Sequence, residues 1–85
     1  MKGLNPRVVS VDPEPGHQLL LTFSNGEVKR FNVKPYLGIG FFFELRDEAL
    51  FRTVKPALGT VVWNNGMDLC PDTLYLNSVA VPAHA

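Results

Sequence analysis

Between Trp63 and Tyr75 the chain must fit a strand end, a tight turn, a returning strand and a helix start: Trp63-Asn64-Asn65-Gly66-Met67-Asp68-Leu69-Cys70-Pro71-Asp72-Thr73-Leu74-Tyr75. Asn64-Asn65-Gly66 turns the chain, because glycine takes positive φ without a steric penalty. Pro71 suits the first helical position, where its missing N–H is no loss. Such spacing leaves no room for a long crossover, so strands joined this way run antiparallel.

The same economy appears upstream. His17–Phe23 and Glu27–Val33 read as a hairpin around Asn25-Gly26, with Leu19, Leu21 and Phe23 alternating toward one face. Its register stays open. A two-residue loop sets Phe23 opposite Val28 and Leu20 opposite Phe31, whereas a bulged three-residue loop sets Phe31 opposite Leu19. A slip by one residue exchanges the faces, so Lys29 and Arg30 are assigned to neither side. Arg7–Asp12 reads as an edge strand fenced by Pro6 and Pro13, followed by a turn at Glu14-Pro15-Gly16.

The middle of the chain is helical material. Asp47 is placed to cap a short helix over Glu48–Thr53, with Leu50 and Phe51 facing inward. Val54–Leu58 is broken by Pro56 and reads as an edge piece. Thr60–Trp63 is a strand, Met67–Leu69 returns from it, and a last helix begins at Pro71 and ends near Asn77. The expected fold is a small α+β domain in the order β-β-β-α-β-β-α. It has a largely antiparallel sheet of about five strands, with short helices on one face. Residues 1–85 form a single domain with its core at about 7–77 and a frayed tail at 78–85. No internal repeat, linker or low-complexity segment interrupts it.

Phe41-Phe42-Phe43 is the segment a packed core accommodates least easily. Three consecutive helical residues span about 200° of an α-helix, more than one buried stripe. Either the segment is sandwiched or at least one ring points outward, and an exposed aromatic patch usually marks an interface. Gly38 and Gly40 also weaken a plain helix here.

Composition limits the function classes. A chain of 85 residues buries only about 60% of its unfolded surface, so outside help is common at this size. Cys70 is the only cysteine, and with His17 and His84 far apart no metal or disulfide staple is expected. Zero net charge with 19% charged residues argues against a general nucleic-acid or membrane-surface binder. No apolar run approaches a membrane span, and Met1-Lys2-Gly3-Leu4-Asn5-Pro6-Arg7 lacks a secretory core, so a cytoplasmic location is expected.

Several blocks in this order resemble the bacterial domain-of-unknown-function family 2442. A Val-rich first strand is followed by Leu19-x-Leu21-x-Phe23-x-x-Gly26-Glu27 and then Leu45-x-Asp47-x-x-x-Phe51. The last block is Val61-x-Trp63-x-x-Gly66-x-Asp68-Leu69-x-Pro71-Asp72-x-Leu74-Tyr75. The resemblance covers about residues 7–77, and the last block is its specific part. Members often carry an acidic residue near the end of the third strand, where this chain has Asn32 and Lys34. The resemblance implies no catalytic activity. It implies a small partner protein encoded in an operon, often beside a second short protein of family 4160, and an antitoxin-like or accessory role. Some longer members add a helix-turn-helix domain, for which the residues after Tyr75 are too few and too little charged.

The chemistry-bearing residues have mostly structural expectations. Asp68 and Asp72 sit where the free N–H groups of a helix start want acceptors, and catalysis by the pair is not expected. Asn25, Gly26, Gly66 and Pro71 complete the turn and cap set. Cys70 reads as a half-buried structural thiol, because no basic residue lies beside it and the two aspartates oppose a thiolate. Trp63 reads as core, with a partner anchor as the alternative, and Tyr36 and Tyr75 are read with the same caution. Arg7, Lys29, Arg30 and Lys34 form a small basic cluster near Phe31 and Tyr36, a nucleic-acid site only if they share one face. No catalytic, cofactor or metal set is visible, and an enzyme is not expected. A protein-interaction module, using Phe41, Phe42, Phe43 and Trp63 toward a toxin-like operon partner or a second copy, is the leading expectation.

Overall fold

The turns decide the topology, and all of them are short. The computed structural model of the protein describes residues 5–81. β1 (Val8–Glu14), β2 (Gln18–Phe23) and β3 (Val28–Asn32) form a meander, with β1 paired to β2 and β2 to β3, all antiparallel. Two short 3₁₀ helices follow, Lys34–Tyr36 and Gly40–Arg46, and then helix α1 (Glu48–Phe51). A second hairpin, β4 (Lys55–Ala57) and β5 (Thr60–Val62), precedes helix α2 (Pro71–Asn77) and strand β6 (Val79–Ala80).

The architecture is α+β and antiparallel, as the hairpin spacing predicts, but the strands divide differently. A four-stranded sheet has the order β1-β2-β3-β6, and β4-β5 forms a separate two-stranded sheet. The expected single sheet of about five strands is therefore corrected to four plus two. The expected end of the core near residue 77 is also corrected, because Val79 and Ala80 pair with Arg30 and Lys29 and the Val81 N–H donates to the Val28 carbonyl. A two-residue strand carries no sequence signal of its own; it exists because β3 offers it an open edge. Residues 82–85 of the expected frayed tail lie outside the described residues.

The register follows the bulged alternative, with Leu19 opposite Phe31. Its cause is a turn that occurs twice. At Phe23-Ser24-Asn25-Gly26-Glu27 the Phe23 N–H donates to the Glu27 carbonyl and the Gly26 N–H to the Phe23 carbonyl. The Asn25 side chain accepts from the Glu27 N–H at 3.0 Å, and Gly26 has φ 91°. Trp63-Asn64-Asn65-Gly66-Met67 repeats each contact: Trp63 to Met67, Gly66 to Trp63, and Met67 N–H to the Asn65 side chain at 3.0 Å, with Gly66 at φ 88°. In both, an aromatic residue ends a strand, Asn fixes the turn with its own side chain, and Gly takes the left-handed position. After the second turn the chain returns far enough for Asp68 to bridge Val62.

One core joins these pieces. Leu19, Leu21, Phe23 and Phe31 of the large sheet pack with Val33, Leu45, Phe51, Val61, Trp63 and Leu74. The opposite face of β2 and β3, with Leu20, Thr22, Val28 and Arg30, is only half-buried. The small hairpin docks at the start of β1, where the Val8 N–H donates to the Gly59 carbonyl at 2.9 Å and the Arg7 side chain lies across Gly59.

The β4–β5 turn contains Leu58 at φ 52° and Gly59 at φ 83°. Two positive φ angles suit Asn-Gly, whereas a leucine there crowds its Cβ against the backbone. Leu58 is 98% exposed, so nothing in the protein repays that strain. Leu58→Asn should stabilise the fold by about 1 kcal/mol, raising the thermal midpoint by roughly 4–8 °C for a domain this small. A thermal melt of the two proteins checks it, and an unchanged or lowered midpoint refutes it.

Candidate protein interface

Phe41, Phe42 and Phe43 lie in the 3₁₀ helix Gly40–Arg46, and that geometry decides their fates. Successive residues of a 3₁₀ helix are about 120° apart, and residues three apart eclipse one another. Phe42 and Leu45 therefore share the inward face. Leu45 is fully buried, and Phe42 packs half-buried with its ring centroid 5.8 Å from that of Tyr36. Phe41 and Glu44 share a second face, where the Asn65 side chain donates to the Glu44 carboxylate at 3.0 Å. Phe43 and Arg46 share the third, with the guanidinium 4.7 Å from the Phe43 ring centroid. Phe41 is 75% exposed and Phe43 55%, with Ile39 exposed beside them. A groove of about 370 Å³ runs from Phe41 past Glu44 to the Asn65-Gly66 turn and Met67.

Trp63 is not part of this surface. It is 1% exposed, and its indole N–H donates to the Phe51 carbonyl at 2.9 Å. The interface alternative for Trp63 is thus corrected to core, and Phe42 serves the surface only from beneath. Trp63→Phe removes the donor, leaves the Phe51 carbonyl with only the longer 3.4 Å bond from the Val54 N–H, and opens space where the indole stood. It should destabilise the protein by about 2–3 kcal/mol, measured by chemical denaturation. A loss below the detection limit would show that the Val54 N–H alone satisfies the carbonyl and that the core closes over the lost ring.

The basic cluster does not form one patch. Lys29 and Arg30 are consecutive on β3 and point to opposite faces. On the core side, Lys29 Nζ donates to the Tyr75 carbonyl at 2.6 Å and sits 3.9 Å from the Tyr75 ring centroid, holding a cation at the C-terminal end of α2. On the other side, Arg30 pairs with Glu14 at 2.7 Å across β2. Arg7 packs on the β4–β5 turn, and Lys34 lies beside Gly16. The condition set for a nucleic-acid surface, four cations on one face, is not met.

Tyr75 gathers the residues of two separate sequence blocks. Its ring meets Phe23 edge-on at 5.1 Å, Lys29 covers it, and its hydroxyl lies beside Glu27. Hydrogen bonding with Tyr75 holds the Glu27 carboxyl below the ordinary carboxylate range, and Glu27 raises the Tyr75 phenol in return. The Arg30 hydrogen bond likewise lowers Glu14. Both carboxylates contribute above the ordinary carboxyl range and lose that contribution as pH falls through their lowered folded values.

Three capping expectations meet different outcomes. Asp47 caps α1, accepting from the Ala49 N–H at 3.0 Å. Pro71 opens α2 and Asp72 stands in its first turn, where it accepts from the Asn5 side chain at 3.1 Å. Asp68 does not cap. The N-cap of α2 is Cys70, no side-chain oxygen satisfies it, and Asp68 is exposed on the strand-like return. Cys70 itself is exposed, correcting the half-buried expectation. The backbone N–H groups of Thr73 and Asp72 at the start of α2 lower its thiol, and they outweigh the opposing charge of Asp72. Labelling of Cys70 by iodoacetamide should follow a pH profile with its midpoint below that of free cysteine. A midpoint at or above the free-thiol value would contradict the N–H contacts.

A family model described as "Protein of unknown function (DUF2442)" matches residues 8–80. The chain belongs to that family. No curated protein and no solved structure matches it. The DUF2442 match spans the whole described core, so the motif residues can be read by position. Gly26 and Gly66 hold the paired turns, Trp63 the core, Asp47 and Pro71 the helix starts, and Glu27 and Tyr75 the contact between the first hairpin and the last helix. Asn32 accepts from the Lys34 N–H at 3.0 Å, a contact that a carboxylate at that position would also make. No helix of the described residues is long and apolar enough to cross a membrane.

Proposed function

We propose that this DUF2442 protein is an interaction module that binds a partner protein through Ile39, Phe41 and Phe43, in an antitoxin-like or accessory role. The observation that carries the reading is the exposure of two phenylalanines on a segment whose neighbours are fixed from behind. Phe42 and Leu45 anchor the 3₁₀ helix in the core, and Asn65 holds Glu44 from the side. The aromatic side chains are thus presented in a set geometry before any partner arrives. Pre-organised, partly desolvated aromatic anchors are what binding hot spots are made of. The partner's complementary surface is an apolar pocket with an acidic group toward Arg46 beside Phe43 and a donor toward Glu44 beside Phe41. The family resemblance supplies the candidate: the second short protein of family 4160 often encoded alongside. A cytoplasmic location accords with such a partner.

Co-expression of the two chains, followed by light scattering, tests the reading. A complex of defined mass is expected with the parent protein. Phe41→Ser with Phe43→Ser should weaken it at least tenfold, while the melting midpoint stays within the narrow range typical of surface changes. No complex with the parent chain, or a complex that survives both substitutions, would overturn the proposal.

A further inference from the structure

The β4–β5 hairpin turns one face to the core and the other outward. Val61 and Trp63 are buried on the inner side, and Thr60 and Val62 are half-buried on the outer side. Residues paired directly across strands share a face. Lys55 is opposite Val62, and Asp68 is opposite Val62 from the other side. The outer face thus carries a row with a cation at one flank, Val62 in the middle and a carboxylate at the other flank. A groove of about 530 Å³ follows this face from Ala57 to Pro71, with the strained, exposed Leu58 at its rim. Neither Lys55 nor Asp68 joins an ion pair among the described residues, where the pair formed is Arg30–Glu14.

That row is complementary to itself. Take two copies stacked face to face, with a two-fold axis running parallel to the strands at Val62. The rotation exchanges the two flanks, so Lys55 of each copy lies against the Asp68 flank of the other, and Val62 meets its own symmetry mate. An axis perpendicular to the strands would instead set Lys55 against Lys55 and Asp68 against Asp68. Charge therefore selects one of the two arrangements, attracting in the first and repelling in the second. A net charge of zero adds no long-range repulsion between copies.

We propose that a second copy of this chain docks on the outer face of β4–β5 as a two-fold dimer, with Lys55 of each copy paired to the partner subunit's Asp68. The surface is separate from Ile39, Phe41 and Phe43, so it leaves the aromatic anchors free. It is also smaller than the 20–30 residues a side of a standard interface, so the dimer is weak and concentration-dependent.

Sedimentation equilibrium of the full chain from about 10 µM to about 1 mM, in low and high salt, tests the proposal. Reversible dimerisation that weakens with salt is expected. Lys55→Asp alone and Asp68→Lys alone should each weaken it about tenfold or more, and the double reversal should restore it. All these positions are exposed, and circular dichroism verifies that each variant is folded. Leu58→Asn, which relieves strain, should also weaken association while the fold persists. A monomer throughout the range, association indifferent to the single reversals, or a double reversal that stays monomeric overturns the proposal. So does self-association abolished by Phe41→Ser with Phe43→Ser, which would place the contact between copies on the aromatic surface. The co-expression result is independent of all these outcomes, so either proposal can fail alone.

Discussion

The indole N–H of Trp63, donated to the Phe51 carbonyl, is the tie on which the second half of the protein depends. α1 is a single turn with few hydrogen bonds of its own, and the β4–β5 hairpin is too short to be stable alone. The bond fixes one against the other in the interior. Thr53 reinforces it, donating to the Leu50 carbonyl and accepting from the Asn64 N–H. One residue later Asn65 reaches Glu44. The Trp63-to-Met67 turn is thereby linked to α1 and to the Gly40–Arg46 3₁₀ helix together, and it holds in place the segment whose own geometry turns Phe41 and Phe43 outward.

What the sequence made legible follows the range of the physics involved. Asn25-Gly26, Asn65-Gly66, Asp47 and Pro71 act on residues two or three positions away, so their roles could be read from the chain and agree with the structure. The hairpin register could be narrowed to two alternatives, because the difference lies in one left-handed glycine. The Phe triplet was legible as a packing conflict, although the segment resolves it as a 3₁₀ helix, with three faces rather than a stripe. β6 was illegible because its cause is the open edge of β3, far away in sequence. Lys29 and Arg30 were illegible as a pair until the register separated them onto opposite faces. Cys70 was judged by neighbouring side-chain charges, whereas the backbone N–H groups of α2 dominate its surroundings.

Family motifs are usually taken as signs of a site, yet here they mostly describe how the fold is held. Glu27 and Tyr75, distant in sequence, meet at the junction of the first hairpin and the last helix. Gly26 and Gly66 make the same turn twice. Residues under that kind of constraint tell little about what the protein binds. The informative positions are those where the fold gains nothing from the residue present: Phe41, Phe43 and Leu58 each expose apolar surface, and Leu58 does so in a backbone conformation that leucine disfavours.

These two surfaces call for different occupants on physical grounds. The aromatic surface is anchored from behind and presents its rings in a set geometry, with Glu44 held by Asn65 on the Phe41 side and Arg46 on the Phe43 side, which suits an unlike partner with an apolar pocket. The β4–β5 face has opposite charges on its two flanks, which only a like or deliberately matched surface satisfies. A weak self-contact on that face would raise the local concentration of the aromatic anchors, so that two copies engage a dimeric partner with an effective affinity beyond that of either contact alone. Binding of an unlike protein and association of like copies would then be parts of one mechanism, linked through the rigid core that Trp63 holds together.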